Sequence, residues 1–340
     1  MDDLLDFRDA VNNGADISQW VDESNVINLY ADIDATSEEN WTPIRKLAED
    51  YVFDGNNHAI ILHKTDIYYE NWEDWGFFVN NYGSIQNLQI NLHMPLNLTW
   101  NSNTKRSVNY ATFSVYNYGN IVNCHAVLDT FIDEYGIEFG GIVNGNLSNG
   151  VISQCSAYSM SEISSRAFIG GIAHQNEGGI IKECVNYLNI CFTDSAGEAL
   201  GGIVTYNRNN GKIDNCINHG TIRSTTNAHF NGIGGIVACM LSGIVDNSIN
   251  NGSIYDFSNV EAVGGIVGNA SIDDPDYTTY IARVVSNCTN TGDINGPDGV
   301  TGNMIGVLAG EASEMKGCTY GGTVNGAAGT EANAIGKDLR

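Results

Sequence analysis

The chain has 340 residues, 15 Lys plus Arg and 40 Asp plus Glu, for a formal charge of −25. That field repels phosphate, so nucleic acid and anionic bilayers are excluded as bulk electrostatic partners. No apolar run approaches the roughly 18 residues a membrane helix needs, and 42% hydrophobic content argues against a disordered chain.

Residues 2–13 carry apolar side chains at Leu4, Leu5, Phe7, Ala10 and Val11, which predicts a short amphipathic helix stopped at Asn13-Gly14. The opening Met-Asp-Asp has no charged-then-apolar leader, which fits a cytosolic protein or one whose export signal is absent from this sequence. Residues 1–80 follow no clear repeat and are expected to be a cap with lead-in turns.

From residue 81 a repeat takes over. The tetrapeptide Gly-Gly-Ile-Val begins at Gly140, Gly201, Gly234 and Gly264, with Gly-Gly-Ile-Ala at Gly170 and a degenerate copy at Ile305. A second element keeps step and ends at Leu88, Cys124, Cys155, Cys184, Cys216, Ser248, Cys288 and Cys318. A third, Asn-x-Gly-x-Ile, begins at Asn218, Asn250 and Asn290. Each repeat of about 30 residues thus holds three apolar runs too short for helices, parted by corners rich in Gly and Asn. The chain has 39 Gly and 43 Asn, and both tolerate tight turns. This predicts an all-β, right-handed parallel β-helix of about eight turns with a short N-terminal helical cap. The solenoid is expected over 81–325, with loops thrown out near 98–105 and 271–280 and a C-terminal tail at 326–340.

Six of the eight cysteines share one register, and Leu88 and Ser248 fill it elsewhere. Leucine replaces neither a disulfide partner nor a metal ligand. The register therefore predicts a ladder of buried thiols. Cys191 and Cys239 lie off the ladder and are the one obvious disulfide candidate.

The units Gly-Gly-Ile-Val-Gly-Asn at 264–269 and Gly-x-Ile-x-Asn-Cys-x-Asn-x-Gly-x-Ile at 211–222 resemble the GLUG-type repeats of bacterial surface proteins. Such repeats are common in gut Bacteroidetes and occur in some IgA-peptidase-like proteins. Leu-Tyr-Ala-Asp-Ile-Asp (29–34), Trp-Thr-Pro-Ile (41–44), Phe-Asp-Gly-Asn-Asn-His (53–58) and Trp-Gly-Phe-Phe (75–78) resemble the lead-in of the same proteins. The resemblance covers about residues 1–325. It implies an exported or surface-anchored β-solenoid, often assigned to adhesion, and no catalytic residues. One departure is that the repeat places Asn144, His174, Thr205 and Ala238 where a further Gly is common.

Parallel β-helices also host polysaccharide enzymes, whose chemistry makes definite demands on the residues. A lyase needs a base and a cation to neutralise a uronate, and the basic residues are few and scattered. A hydrolase needs two carboxylates. Asp214 and Asp246 occupy one register in successive turns and would stand about 5 Å apart. A solvated face beside Lys182 is the simpler reading of that pair. Asp273, Asp274 and Asp276 gather oxygen ligands, which makes calcium the one cofactor the residue types allow. A solvated acidic loop is the simpler reading there. Tyr68, Tyr69 and Trp72 are the candidate exposed aromatics for ligand binding, whereas Trp75 is expected in the core.

The leading expectation is a non-enzymatic extracellular or cell-surface binding and scaffold module that displays loops on a rigid rod to a glycan or host protein. The alternative is a polysaccharide-acting enzyme or carbohydrate-binding module on the same scaffold.

Overall fold

The structure, a computed structural model, describes residues 1–64, 74–94, 108–130, 137–165, 168–193, 199–271, 282–310 and 313–340. It is an all-β parallel solenoid of about eight turns with one N-terminal helix, Asp2–Asn13. One turn shows the plan. Strand Ala199–Gly201 leads through a Gly202-Ile203 corner into Val204–Arg208. Lys212–Asp214, Ile217–Asn218 and Ile222–Ser224 follow. Each strand pairs in parallel with its equivalent one turn on, as Val204 does with Val237 and Ile213 with Val245.

The repeat motifs now have physical causes. In every turn the residue before the thiol register turns the chain with a left-handed backbone. Asn87, Asn123, Gln154, Glu183, Asn215, Asn247 and Asn287 all have φ near +50°, and Gly317 completes the series. Asn reaches that conformation most readily among residues with a side chain, which explains the recurrent Asn-Cys. The following thiol points inward, and Cys216 Sγ donates to Ile181 O one turn back at 3.7 Å. None of the eight cysteines forms a disulfide, and Cys318 alone is partly exposed. Cys191 and Cys239 stand on different sheets and are not bonded to each other.

Asn-x-Gly closes another corner. The Asn218 side chain accepts from Gly220 N at 3.1 Å and donates to Gly220 O at 3.0 Å. It also donates to Asn250 Oδ1 in the next turn at 2.8 Å. Asn186, Asn218, Asn250 and Asn290 form one such buried ladder, and Asn81, Asn117, Asn146, Asn176 and Asn207 form a second at another corner. Glycine is required beside it. A Cβ on Gly252 would lie 1.9 Å from Gly220 O, and one on Gly235 would lie 2.1 Å from Gly265 O.

Inside, identical positions stack. Ile85, Ile121, Ile152, Ile181, Ile213, Val245 and Val285 are fully buried in one register. Each contributes about 1.5–3 kcal/mol of burial free energy.

The parallel ladder begins early, at Val26–Asn28 paired with Val52–His63. Aromatic residues fill these first turns. Trp41, Phe53, Trp75, Phe77 and Phe78 are buried, and Trp75 Nε1 donates to Trp41 O at 2.8 Å. The helix packs Leu4 and Phe7 over them and protects the first edge. Asn12 accepts from Arg45 N at 2.8 Å, on the outermost strand Ile44–Leu47. Such a cover blunts an exposed strand edge. At the other end, Ile335–Asp338 pairs with Ile305–Leu308 and continues the same sheet. Among the described residues no helix is long and apolar enough to cross a membrane.

Candidate ligand-binding groove

The Gly-Ile corner sets two strands at an angle, so residues on either side of it face a common groove on the outside of the solenoid. Register places the lining. On the far side of the corner one row runs Asn80, Tyr116, Gly145, Gln175, Tyr206, Cys239. On the near side another runs Asp74, Asn109, Glu138, Phe168. Asn144 and His174, both buried, lie between them and line the recesses. Two adjoining recesses of about 250 and 340 Å³ open here and share Glu138, Gln175 and Arg208.

The side chains within it are organised. His174, only 2% exposed, sets Nε2 3.3 Å from Glu138 Oε2. Its ring packs edge-on against Tyr206, with centroids 5.6 Å apart, and beside Phe168. Asn144 Nδ2 donates to Glu138 O at 2.7 Å and fixes the near wall. Arg208 pairs with Glu177 at 3.1 Å, and Asn209 donates to the same carboxylate. At the other end Asn109 donates to both Asp74 and Tyr116 Oη at 2.9 Å. Burial and the adjacent Asp74 charge push the Tyr116 phenol up to about 12, so it stays neutral. Three buried side-chain atoms near the groove, His174 Nδ1, Thr205 Oγ1 and Arg208 Nε, have no hydrogen-bond partner among the described residues.

Asp214 and Asp246 are in register, as the spacing requires, with Lys182 one turn before Asp214. They lie on a different sheet from the groove walls. Asn247 Nδ2 bridges them at 3.1 Å to each. Lys212 holds the other Asp214 oxygen, while Ser286 and Asn287 hold the other Asp246 oxygen. Every oxygen of the pair thus accepts a hydrogen bond. Partial burial opposes ionisation of Asp214, but Asn247, Lys212 and Lys182 outweigh it and keep its carboxyl below the usual range.

Tyr68, Tyr69 and Trp72 lie outside the described residues, as do Asp273, Asp274 and Asp276. Among the described residues no three His, Cys, Asp or Glu side chains gather as a metal site. Two exposed aromatic stacks do occur. Tyr82 lies on Tyr118 with centroids 4.8 Å apart, and Tyr187 lies on His219 at 5.0 Å. Within each stack the rings cover one another's faces.

The groove residues escaped sequence reasoning because they come from different turns and different registers. One signal was present. Asn144 and His174, two of the departures from the repeat, line the groove.

No family model matches the chain, and no curated protein matches it. One solved structure is similar in fold, a protein provisionally named an immunoglobulin A1 protease from Bacteroides ovatus. The identity is 17% and the TM-score 0.46, over 91% of this chain and 80% of that one.

Proposed function

We propose that the protein is a non-enzymatic carbohydrate-binding module that seats an extended glycan in this groove. The observation that carries the reading is the joint lining of the groove by Tyr116 and Tyr206 with Glu138, Gln175 and Arg208. Aromatic rings give contact area, and a few fixed polar groups give orientation, which is how small-ligand sites recognise sugars. A rod of stacked strands keeps these groups at fixed spacings along its axis. The likeness of the repeats to GLUG-type surface proteins supports an exported, adhesin-like role for the rod.

The test is retardation of the pure protein in gels containing plant, host or microbial polysaccharides, with chain ends scored in the same samples. Retardation lost in Tyr206→Ala, without new chain ends, is the expected result. Chain ends that disappear in Glu138→Gln would instead favour a polysaccharide-acting enzyme at this site. Chain ends that disappear in Asp214→Asn would favour one at the carboxylate pair. No retardation by any polymer would overturn the glycan reading.

A further inference from the structure

We infer that the groove is selective for neutral, hydroxyl-bearing glycans over uronates, and that the notch at Gly145 is its central subsite. The inference rests on the glycan-binding reading and names the ligand class for that site.

Charge comes first. Glu138 and Glu177 line the groove, and Asp74 stands behind Tyr116. Arg208 is the one guanidinium among the lining residues, and its charge is already matched by Glu177. Even with a charge on His174, these described groups sum to a negative balance. Among the described residues, a uronate carboxylate entering here would meet a like-signed field in which the one lining guanidinium is already paired.

Shape comes second. Along the row Tyr116, Gly145, Gln175, Tyr206, the second member has no side chain. This leaves a recess between Tyr116 and Gln175, bounded by Leu147 and Glu138. The two tyrosines stand three turns apart, roughly 14 Å at about 4.8 Å per turn. A polymer of several sugar units can reach both rings while one unit settles in the notch. Gly145 is not held in a left-handed conformation. A Cβ there would meet only side chains within 4 Å, the tip of Leu147 at 2.9 Å and the Tyr116 ring at 3.4 Å. The backbone does not require glycine, and a side chain there would crowd Leu147 and the Tyr116 ring and fill part of the recess they border.

Hydrogen bonding comes third. Gln175, which lines both recesses, carries a side-chain amide that donates through its nitrogen and accepts through its oxygen. A sugar hydroxyl does both and can pair with that amide directly or through one bridging water.

The experiment uses affinity gels with neutral glucan, neutral mannan, pectate and alginate. It compares wild type, Gly145→Ala, Gly145→Leu and Glu138→Gln, each with its melting temperature recorded. Wild type should be retarded at least ten-fold more strongly by a neutral polymer than by either uronate. Gly145→Leu should lose at least ten-fold of that retardation, with Gly145→Ala intermediate and folded. Glu138→Gln should narrow the gap between neutral and uronate polymers. That substitution alters a net charge of −25 by one unit, so the gain reports the local field. Equal or stronger retardation by a uronate, or full retardation of folded Gly145→Ala and Gly145→Leu, would overturn this inference and leave the glycan reading standing. Failure of every polymer to retard wild type would overturn both.

Discussion

The side-chain amide of Asn250 donates to Asn290 Oδ1 at 2.8 Å, although 40 residues separate them. Neighbouring links in the same ladder span 32 residues. The ladder therefore holds register across an insertion that reaches outside the described residues. A loop can be thrown from a corner at little expense because its closure entropy grows slowly with length.

Asn250→Leu should destabilise the protein by about 2–3 kcal/mol. It leaves Asn218 and Asn290 with unmatched buried amides, each of which costs about 1–3 kcal/mol. Asn251→Ala, at an exposed neighbour, should cost about 0.5 kcal/mol or less. Guanidinium denaturation of the two variants measures the difference. Equal midpoints would show that the ladder is not a principal stabilising element.

The thiol ladder should be chemically silent in the native state. Burial pushes the Cys155, Cys184 and Cys216 thiols well above their ordinary range, and a thiol reacts as its thiolate. An aromatic disulfide reagent should react with Cys318 first in native protein and with all eight cysteines in guanidinium. Rapid native labelling of Cys155 or Cys184 would contradict the buried register.

Arg223 spans two turns to grip Glu162 with two hydrogen bonds, at 2.8 and 2.6 Å. The guanidinium holds the Glu162 carboxyl below its usual range. A depressed carboxyl contributes stability that is present above its unfolded pKa of about 4.3 and is lost as pH falls through the lower folded value. Arg223→Ala should therefore destabilise by about 1 kcal/mol or less at pH 7, because the pair is partly exposed. The difference from wild type should shrink below about pH 4. Thermal melts across pH 3–7 check this, and a difference independent of pH would assign the loss to packing.

Tyr116 should titrate later than an ordinary tyrosine. Its phenol is pushed up to about 12 by burial first and by Asp74 second. The Asp74→Asn variant should lower that value by removing the adjacent charge. Ultraviolet titration of wild type against Tyr116→Phe isolates the signal. A Tyr116 that ionises near 10 in wild type would place it in open solvent.

Much of the fold was legible because a solenoid converts sequence period directly into spatial register. Ile213, Asp214 and Cys216 could be assigned to inside, outside and inside from one motif, and their neighbours one turn away followed. The left-handed corner before each thiol was visible as recurrent Asn, though Gln154 and Glu183 occupy the same conformation and hide it. The groove was not legible for the opposite reason. Glu138 and His174 meet at 3.3 Å from different turns and different sides of a corner, so no local spacing joins them. Gly145 likewise looks like one more glycine in a glycine-rich chain until its neighbours in register prove to be Tyr116 and Gln175.

The most direct test of the groove is amide hydrogen exchange with and without a neutral glycan that retards the protein. Protection should concentrate in Val143–Asn146, Ala173–Glu177 and Val204–Arg208, the strands that carry Gly145, His174 and Arg208. Protection centred instead on Lys212–Asp214 and Gly243–Asp246, or on the segment holding Tyr68, Tyr69 and Trp72, would contradict the assignment.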